Sequence, residues 1–348
     1  MDRRSAASDP GVLIVDDSAV ARQAVSRAIG EASGMQVAGI ARDGQMALEA
    51  VARSRPDAVV LDLEMPIMDG ISFLRALRAT DTTLPVVVFS TMTSHSAAAT
   101  LEAMSAGATA YVLKPSALRG TGSGDIDSEL IPVLRAVLGS RPAPQQVARP
   151  FGVRRVWAVV VAVSTGGPTA LNTLLSALPA DLPVPVLVVQ HMPATFTTLL
   201  AQRLDDRCAL QVVEAADGQA VTAGTVYIAP GGFHLTVSGA ATSPRIRITE
   251  DPPVNSCRPA ADVLFDTASR IFPGPVLGVV LTGMGVDGLQ GSQHVVTRGG
   301  AVIAQDPATA VVGSMPAAVV EAGLAYTVLP LPEIAGEIVR RTRGVRGT

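Results

Sequence analysis

Acidic residues end two short apolar runs in the first half of the chain. Asp16 and Asp17 close the first run and Asp62 closes the third, while Ser90 and Lys114 follow two later runs. Carboxylates that meet repel one another unless a cation lies among them, and Mg²⁺ is a hard ion that prefers oxygen ligands. The set therefore predicts a Mg²⁺ site at which Asp62 is the nucleophile for a phosphoryl group. Lys114 would supply positive charge to the phosphate, and Ser90 a hydroxyl hydrogen bond.

The runs that carry these residues predict how their ends meet. They are almost wholly apolar rather than alternating, which indicates strands buried on both faces of a parallel sheet, with helices between them. In a doubly wound sheet of this kind, functional groups gather at the carboxyl ends of the strands. We therefore expect a doubly wound α/β domain of five strand–helix units over residues 10–139. Its predicted strands are Val12–Asp17, Met35–Ala41, Asp57–Asp62, Pro85–Thr91 and Ala110–Lys114.

A serine in the second half ends another apolar run at a glycine-rich turn. Ser164 is followed by Thr165, Gly166 and Gly167, and then by a predicted helix. A serine at a strand-to-helix turn is exposed, and the N-terminus of the helix stabilises a nearby anion. This pattern fits a catalytic nucleophile. By itself it fits equally well a helix N-cap with a phosphate-binding turn.

A histidine ends the next long apolar run. If the two strands are parallel neighbours, His191 would approach Ser164 as a general base. The chain has 4 histidines. The rival is His234, at the start of a predicted hairpin strand, which we interpret as a wall of the site or a buried hydrogen-bonding residue.

A glycine-rich loop follows the strand predicted at Val276–Leu281 and contains Asp287. The carboxylate could orient the histidine and complete a Ser–His–Asp triad. For Asp287 alone, a helix N-cap would be the better interpretation. Backbone N–H groups of this loop, at Met284 and Gly285, could form an oxyanion hole, and the loop after Ser164 could admit the substrate.

The elements of the second half predict a second α/β domain over residues 155–342, with a mostly parallel sheet and an antiparallel hairpin on the solvent side. A proline-containing linker is expected over residues 140–154. The predicted parallel strands are Val156–Ser164, Val184–His191, Thr225–Pro230, Val276–Leu281 and Ala301–Gln305, and the hairpin joins His234–Ser238 to Arg245–Thr249.

Composition narrows the classes of function. The net charge is −3 and aromatic residues make up 3%, with no basic stripe, so we expect no nucleic-acid partner. No apolar run is long enough to cross a membrane, and no signal peptide is found, which predicts a cytoplasmic protein that is not membrane-inserted. Cys208 and Cys257 give neither a disulfide framework nor a zinc site, and we interpret both as structural thiols.

The acidic set resembles that of response-regulator receiver domains over about residues 10–139. The resemblance implies that Asp62 is the phosphoacceptor, that the acidic pair before it holds Mg²⁺, and that Ser90 and Tyr111 are the switch residues. Lys114 matches the lysine of the family. The phosphodonor would be a chemotaxis histidine kinase.

The second half resembles the catalytic domain of CheB, the chemotaxis protein-glutamate methylesterase, over about residues 155–342. The resemblance implies that Ser164 is the nucleophile, His191 the base and Asp287 its orienting acid. The reaction would be hydrolysis of glutamate methyl esters on chemoreceptors, with deamidation of receptor glutamines, and would need no cofactor at this site. The markers are Ser164-Thr165-Gly166-Gly167, Gln190-His191-Met192-Pro193, Ala229-Pro230-Gly231-Gly232, Cys257-Arg258-Pro259 and Thr282-Gly283-Met284-Gly285-Val286-Asp287-Gly288.

One departure from the family and two alternatives remain. Ala162 and Val163 stand where the family usually has Gly-Ala, which could narrow the site. The second half could instead be a non-catalytic module with a phosphate-binding turn, or a serine hydrolase for another acyl substrate. A DNA-binding response regulator is disfavoured, because the second half is large and lacks a basic pair of helices.

Overall fold

The computed structural model describes residues 9–91, 93–115, 124–139 and 155–343. The chain divides into two compact units, residues 1–139 and 140–348. The linker predicted over residues 140–154 lies outside the described residues.

The first unit is built on a five-stranded parallel sheet in the order β2-β1-β3-β4-β5. The predicted doubly wound fold is confirmed, with each strand one or two residues shorter than expected. Its elements are β1 (Gly11–Val15), α1 (Ala19–Glu31), β2 (Gln36–Ala41), α2 (Gly44–Ser54), β3 (Ala58–Leu61), α3 (Gly70–Arg78), β4 (Val86–Ser90), α4 (Ser94–Ser105), β5 (Ala110–Leu113) and α5 (Gly124–Leu138).

The apolar strands of this sheet separate two hydrophobic cores. Because successive side chains of a strand point to opposite faces, Val12 and Ile14 join one core while Leu13 and Val15 join the other. All four side chains are fully buried. Burying an aliphatic side chain of this size contributes roughly 1.5–3 kcal/mol, so both faces hold the strand in register.

The second unit is built on a seven-stranded parallel sheet in the order β14-β13-β12-β6-β7-β9-β8, with a separate antiparallel pair, β10-β11. Its elements are β6 (Ala158–Val163), α6 (Gly167–Ser176), β7 (Val186–Gln190), α7 (Ala194–Asp205), β8 (Gln211–Glu214), β9 (Thr225–Ile228), β10 (His234–Ala240), β11 (Ser243–Thr249), α8 (Ala261–Ile271), β12 (Val276–Val280), α9 (Leu289–Thr297), β13 (Ala301–Gln305), α10 (Ser314–Glu321), β14 (Thr327–Leu329) and α11 (Leu331–Arg343).

The mixed architecture expected for this unit is confirmed, with two differences in detail. The hairpin is not wholly on the solvent side, because Leu235, Val237 and Ile246 are buried in the hydrophobic core that also contains α8. The edge strands β8 and β14 were not predicted from the sequence, since they are short and partly exposed.

The position of β6 decides where the predicted catalytic residues meet. β6 pairs in parallel with β12 on one side and with β7 on the other. The carboxyl ends of these three strands therefore lie side by side, and the segments that contain Ser164, His191 and Asp287 leave the sheet at one edge.

Among the described helices, none combines the length with the apolar composition that crossing a bilayer requires.

Candidate functional site

The first unit gathers its acidic residues around one ammonium group. Lys114 Nζ lies 2.8 Å from Asp16 Oδ2 and 2.9 Å from Asp62 Oδ1, and all three side chains are largely buried. Strand pairing holds the backbones in place, since Asp62 N–H donates to Val15 O and Lys114 N–H donates to Ser90 O. The structure thus brings together three of the residues that the sequence singled out.

The electrostatics of Asp62 suit a cation-binding nucleophile. Burial raises the pKa of its carboxyl group, Lys114 opposes the rise and Asp16 adds to it, and the result is a pKa of about 6. Ligand oxygens of Asp16, Asp17 and Asp62 lie within 4.8 Å of one another, which is close enough for one small divalent ion. This donor set, made only of carboxylate oxygens, fits Mg²⁺.

The remaining predicted residues of this site surround the carboxylates. Ser90 is buried at the end of β4, and Asp17 is exposed beside Asp16. Tyr111 lies on β5 and packs, partly buried, against the hydrophobic core below the site. Burial raises the pKa of its hydroxyl group, so the side chain stays neutral.

The second unit places Ser164 in a tight turn between β6 and α6. Its N–H donates to Thr282 O (3.0 Å) and its carbonyl accepts from Gly167 N–H (2.8 Å). Gly166 has a φ of +78°, and a Cβ atom at Gly167 would lie 1.8 Å from Gln190 Oε1. Both glycines are required by the turn, the first for its backbone angle and the second for a close approach.

His191 and Asp287 are in direct contact. His191 Nε2 lies 2.7 Å from Asp287 Oδ2. His191 N–H also donates to Val163 O, the residue before Ser164, so the histidine and the serine leave neighbouring strands side by side. No hydrogen bond joins the Ser164 hydroxyl to His191 within the described part of the chain. Such a bond commonly tightens only when substrate is bound.

The carboxylate of Asp287 is held on all sides by donors. Oδ2 also accepts from Ala261 N–H (2.6 Å), and Oδ1 accepts from Asp262 N–H and Gly288 N–H (both 3.0 Å). Burial acts to raise the pKa of Asp287, but His191 and these N–H groups outweigh it and the pKa is lowered. Asp287 therefore stays ionised. Its two oxygens accept from N–H groups at the start of α8, and one of them, Oδ2, also contacts His191.

This contact fixes the tautomer of the histidine. An ionised carboxylate only accepts hydrogen bonds, so Nε2 of His191 carries a proton and Nδ1 holds the free lone pair when the ring is neutral. Burial acts to lower the pKa of His191, but the hydrogen bond to Asp287 and the contact with Cys257 raise it to about 9. The imidazolium that forms when the base accepts a proton is thus strongly stabilised.

The predicted oxyanion loop is only partly available. Gly167 N–H is occupied by Ser164 O, so this glycine shapes the turn rather than offering a donor. The N–H groups of Thr165, Met284 and Gly285 have no acceptor among the described residues, and Met284 is exposed. These groups are the donors that could face an oxyanion.

Sequence reasoning missed several residues that support this site. Gln190 is buried and its Nε2 donates to the carbonyls of Ser164 and His191. Thr282 Oγ1 donates to Thr165 O at 2.8 Å. A buried amide that ends an apolar strand was a visible signal for Gln190, because such a side chain needs partners. For Thr282 the sequence offered only its place in the glycine-rich family motif, without a role.

Four further positions that the sequence analysis discussed lie in or near this site. Cys257 lies beside the site, with Sγ 3.7 Å from His191 Nδ1. His234 is buried and accepts from Ala260 N–H while donating to Pro252 O, which agrees with a hydrogen-bonding role. Ala162 and Val163 are fully buried in β6, so their bulk lies in the core.

Comparisons with known proteins agree with this geometry. Residues 159–338 match the CheB methylesterase family model and residues 12–120 the response regulator receiver domain model. A relative from Nocardioides sp., named protein-glutamate methylesterase/protein-glutamine glutaminase, is 47% identical over 95% of this chain and 94% of its own length. One from Caulobacter vibrioides, with the same name followed by the numeral 2, is 46% identical over 96% of this chain and 99% of its own.

A solved structure shows the same likeness for the second unit. The CheB methylesterase catalytic domain of Thermotoga maritima is 43% identical and has a TM-score of 0.52. The match covers 53% of this chain and 97% of that one.

Proposed function

Because the chain belongs to the CheB methylesterase family and carries a receiver domain before its catalytic domain, we propose that it is a phosphorylation-regulated protein-glutamate methylesterase of chemotaxis. Its substrates would be glutamate methyl esters on chemoreceptors, with receptor glutamines as a second substrate. The receiver domain would span about residues 10–139 and the catalytic domain about residues 155–342. A cytoplasmic location and the absence of a nucleic-acid partner belong to the same proposal.

The single observation that supports the catalytic role is the His191–Asp287 pair beside Ser164. A carboxylate held by three backbone N–H groups lies 2.7 Å from the imidazole, and the imidazole lies on the strand next to the serine. A phosphate-binding turn would need neither the histidine nor the buried aspartate. The geometry therefore favours acyl chemistry over the binding module.

In the proposed reaction, Ser164 Oγ attacks the γ-carbonyl of the methylated glutamate while its proton passes to His191 Nδ1. Asp287 would stabilise the imidazolium through Nε2, and the N–H groups of Met284, Gly285 and Thr165 would donate to the oxyanion. The protonated imidazole then gives its proton to the leaving methoxide, so methanol departs. Water, deprotonated by the same nitrogen, hydrolyses the acyl-serine ester and restores Ser164. With a glutamine substrate, ammonia leaves instead.

The receiver is proposed to control this reaction through Asp62. Mg²⁺ held by Asp16, Asp17 and Asp62 would neutralise the phosphoryl oxygens, and Lys114 would pair with them once the acyl phosphate forms. Ser90 and Tyr111 would respond to the phosphate. A chemotaxis histidine kinase is the proposed phosphodonor, and a higher rate of ester hydrolysis is the proposed effect.

The test is methanol release from methylated chemoreceptor membranes, with and without a small phosphodonor. The intact chain should release methanol and Ser164→Ala should not. Asp62→Asn should keep the basal rate but lose the response to the phosphodonor. Loss of release on Ser164→Ala in a folded protein would support the nucleophile. Equal release by both proteins would eliminate it, and no release by either would favour another acyl substrate.

A further inference from the structure

Cys257 lies against the catalytic histidine but has no part in the proposed reaction. Its Sγ atom is 3.7 Å from His191 Nδ1, and both side chains are partly exposed. His191, Cys257 and Asp287 each offer a ligand atom, and these atoms lie within 4.8 Å of one another. A thiolate, an imidazole nitrogen and a carboxylate oxygen are the donors that Zn²⁺ takes in proteins.

The distance between the two soft donors fits a shared metal ion. With a Zn–S bond of about 2.3 Å, a Zn–N bond of about 2.0 Å and a tetrahedral angle, the two ligand atoms stand about 3.5 Å apart. Sγ of Cys257 and Nδ1 of His191 are separated by 3.7 Å. An ion can therefore enter between them with little movement of either side chain.

The contact of His191 with Asp287 prepares the histidine as a ligand. Nε2 donates to the carboxylate, so the lone pair available for coordination is on Nδ1, which faces the cysteine. A ligand histidine whose other nitrogen donates to a carboxylate is the usual arrangement around zinc, because the carboxylate fixes the tautomer and makes the ring more basic. Asp287 would be the carboxylate that accepts from the histidine without contacting the metal ion.

We propose that His191 Nδ1 and Cys257 Sγ form a binding site for Zn²⁺, with solvent completing the tetrahedron, and that the bound ion inhibits the esterase. Binding releases the thiol proton of Cys257 to solvent, and the ion takes the lone pair that accepts the proton of Ser164. The inhibitory part of this inference rests on the proposed function, in which His191 is the base. The binding part does not.

The chemistry of the donors separates this site from the one in the receiver. Soft thiolate and imidazole donors select Zn²⁺, while the carboxylates of Asp16, Asp17 and Asp62 suit Mg²⁺. Mg²⁺ in excess should occupy the receiver and leave Cys257 free. Cys208 is the matched control, because it is the other cysteine of the chain and is also partly buried, three residues after the end of α7. Its pKa is raised by burial, with Asp205 adding to the rise.

The binding test uses the full chain with excess Mg²⁺ and Co²⁺ as a spectroscopic substitute for Zn²⁺. A cobalt–thiolate bond gives a charge-transfer absorption in the near ultraviolet. The absorption should appear in the unmodified protein and in Cys208→Ser, vanish when Zn²⁺ is added, and be missing in Cys257→Ser and Cys257→Ala. Its absence from the unmodified protein, or its persistence in both Cys257 variants, overturns the proposal.

The activity test compares methanol release by each protein with its own metal-free rate. Zn²⁺ should inhibit the unmodified protein and Cys208→Ser, and a zinc chelator should reverse this. Cys257→Ser should need at least about tenfold more Zn²⁺ for the same fractional inhibition, because it removes a direct ligand and even the loss of a supporting group costs about 10- to 100-fold in affinity. Equal sensitivity of Cys257→Ser and the unmodified protein overturns the inhibitory part. Metal-free release tests the esterase by itself, so cobalt binding without any release would refute the proposed function and leave the metal site standing.

Discussion

Replacing Asp287 with asparagine tests the catalytic geometry at its most constrained point. Both carboxylate oxygens act only as acceptors, Oδ2 for His191 Nε2 and Ala261 N–H, and Oδ1 for Asp262 N–H and Gly288 N–H. Asparagine has one acceptor oxygen and one NH₂ group. Whichever way the amide turns, the NH₂ group faces two donors, so either the histidine or the start of α8 loses its partner.

The magnitude follows from the pKa of His191. The environment raises this pKa from 6.5 to about 9. At about 1.36 kcal/mol per pH unit, the difference corresponds to on the order of 3 kcal/mol of stabilisation of the imidazolium. The hydrogen bond to Asp287 and the contact with Cys257 are the causes of the rise. Loss of the carboxylate charge together with the wrong tautomer should lower kcat/KM by on the order of 10² to 10⁴-fold, as in triads whose aspartate is changed to asparagine.

The assay is methanol release as a function of pH. The base must be neutral to accept a proton, so release by the unmodified enzyme should rise with pH and level off only above about 9, where His191 loses its proton. In Asp287→Asn the pKa of the histidine falls, and the residual rate should level off at lower pH. Circular dichroism and thermal unfolding would report the loss of the cap of α8.

Two results would refute this reasoning. A folded Asp287→Asn enzyme that keeps its rate within a few-fold would show that the carboxylate does not support the base. A rate that falls while the pH profile stays in place would show that Asp287 acts only as a helix cap, because a cap changes the amount of folded enzyme and not the pKa of His191.

Further predictions concern the receiver and the nucleophile turn. Mg²⁺ affinity, measured by titration calorimetry, should weaken as pH falls through about 6, because Asp62 must be ionised to bind the ion; an affinity that is constant across this range would contradict the raised pKa. Lys114→Ala should move this transition to higher pH, because Lys114 opposes the rise in the pKa of Asp62, and an unchanged midpoint would count against the ion pair. Gly167→Ala should abolish methanol release and lower the unfolding temperature, because its Cβ would lie 1.8 Å from Gln190 Oε1. Gly336→Ala in α11 is the control, with nothing within 4 Å of the new methyl group, and should leave both unchanged or slightly raise the unfolding temperature.

The sequence predicted the parts of the fold that follow from strand burial. The wholly apolar runs predicted parallel sheets, and parallel strands align their carboxyl ends, so the placement of Ser164 and His191 at one edge of the sheet could be inferred before the strand order was known. The order itself, with β6 between β12 and β7, could not. The strand order depends on how the helices pack against both faces of the sheet, and the hydrophobic pattern of a single segment carries no information about this packing.

The parts of the site that the sequence did not predict lie in irregular segments, which have neither helical nor strand periodicity. Asn255 and Cys257 belong to an irregular segment before α8, and Asn255 has a φ of +52° while its side chain reaches Asp262 and Asp287. Only the tertiary fold brings this segment to the histidine. Helix cap and triad member were posed as alternatives for Asp287. The N-cap of α9, the helix that follows, is Gly288, but the Asp287 carboxylate accepts from N–H groups at the start of α8 and also contacts His191. One carboxylate has enough lone pairs for both sets of contacts, and the triad role stays a prediction.

Asp62 and Asp287 are both buried, and the groups that contact each carboxylate, rather than its burial, distinguish their proposed roles. Burial is the largest influence on Asp62 and on Asp287, and it acts to raise the pKa of each. At Asp62 the neighbouring carboxylate of Asp16 adds to the rise, and the ammonium group of Lys114 only partly offsets the cluster of three carboxylates, so the site gains from Mg²⁺. At Asp287 backbone N–H groups and His191 reverse the rise, so the charge persists without a metal ion. A phosphoacceptor needs an incoming cation, whereas an orienting acid must stay ionised through each cycle. In each unit the proposed site therefore lies at the carboxyl ends of parallel strands. The two sites differ in how the negative charge of the aspartate is compensated.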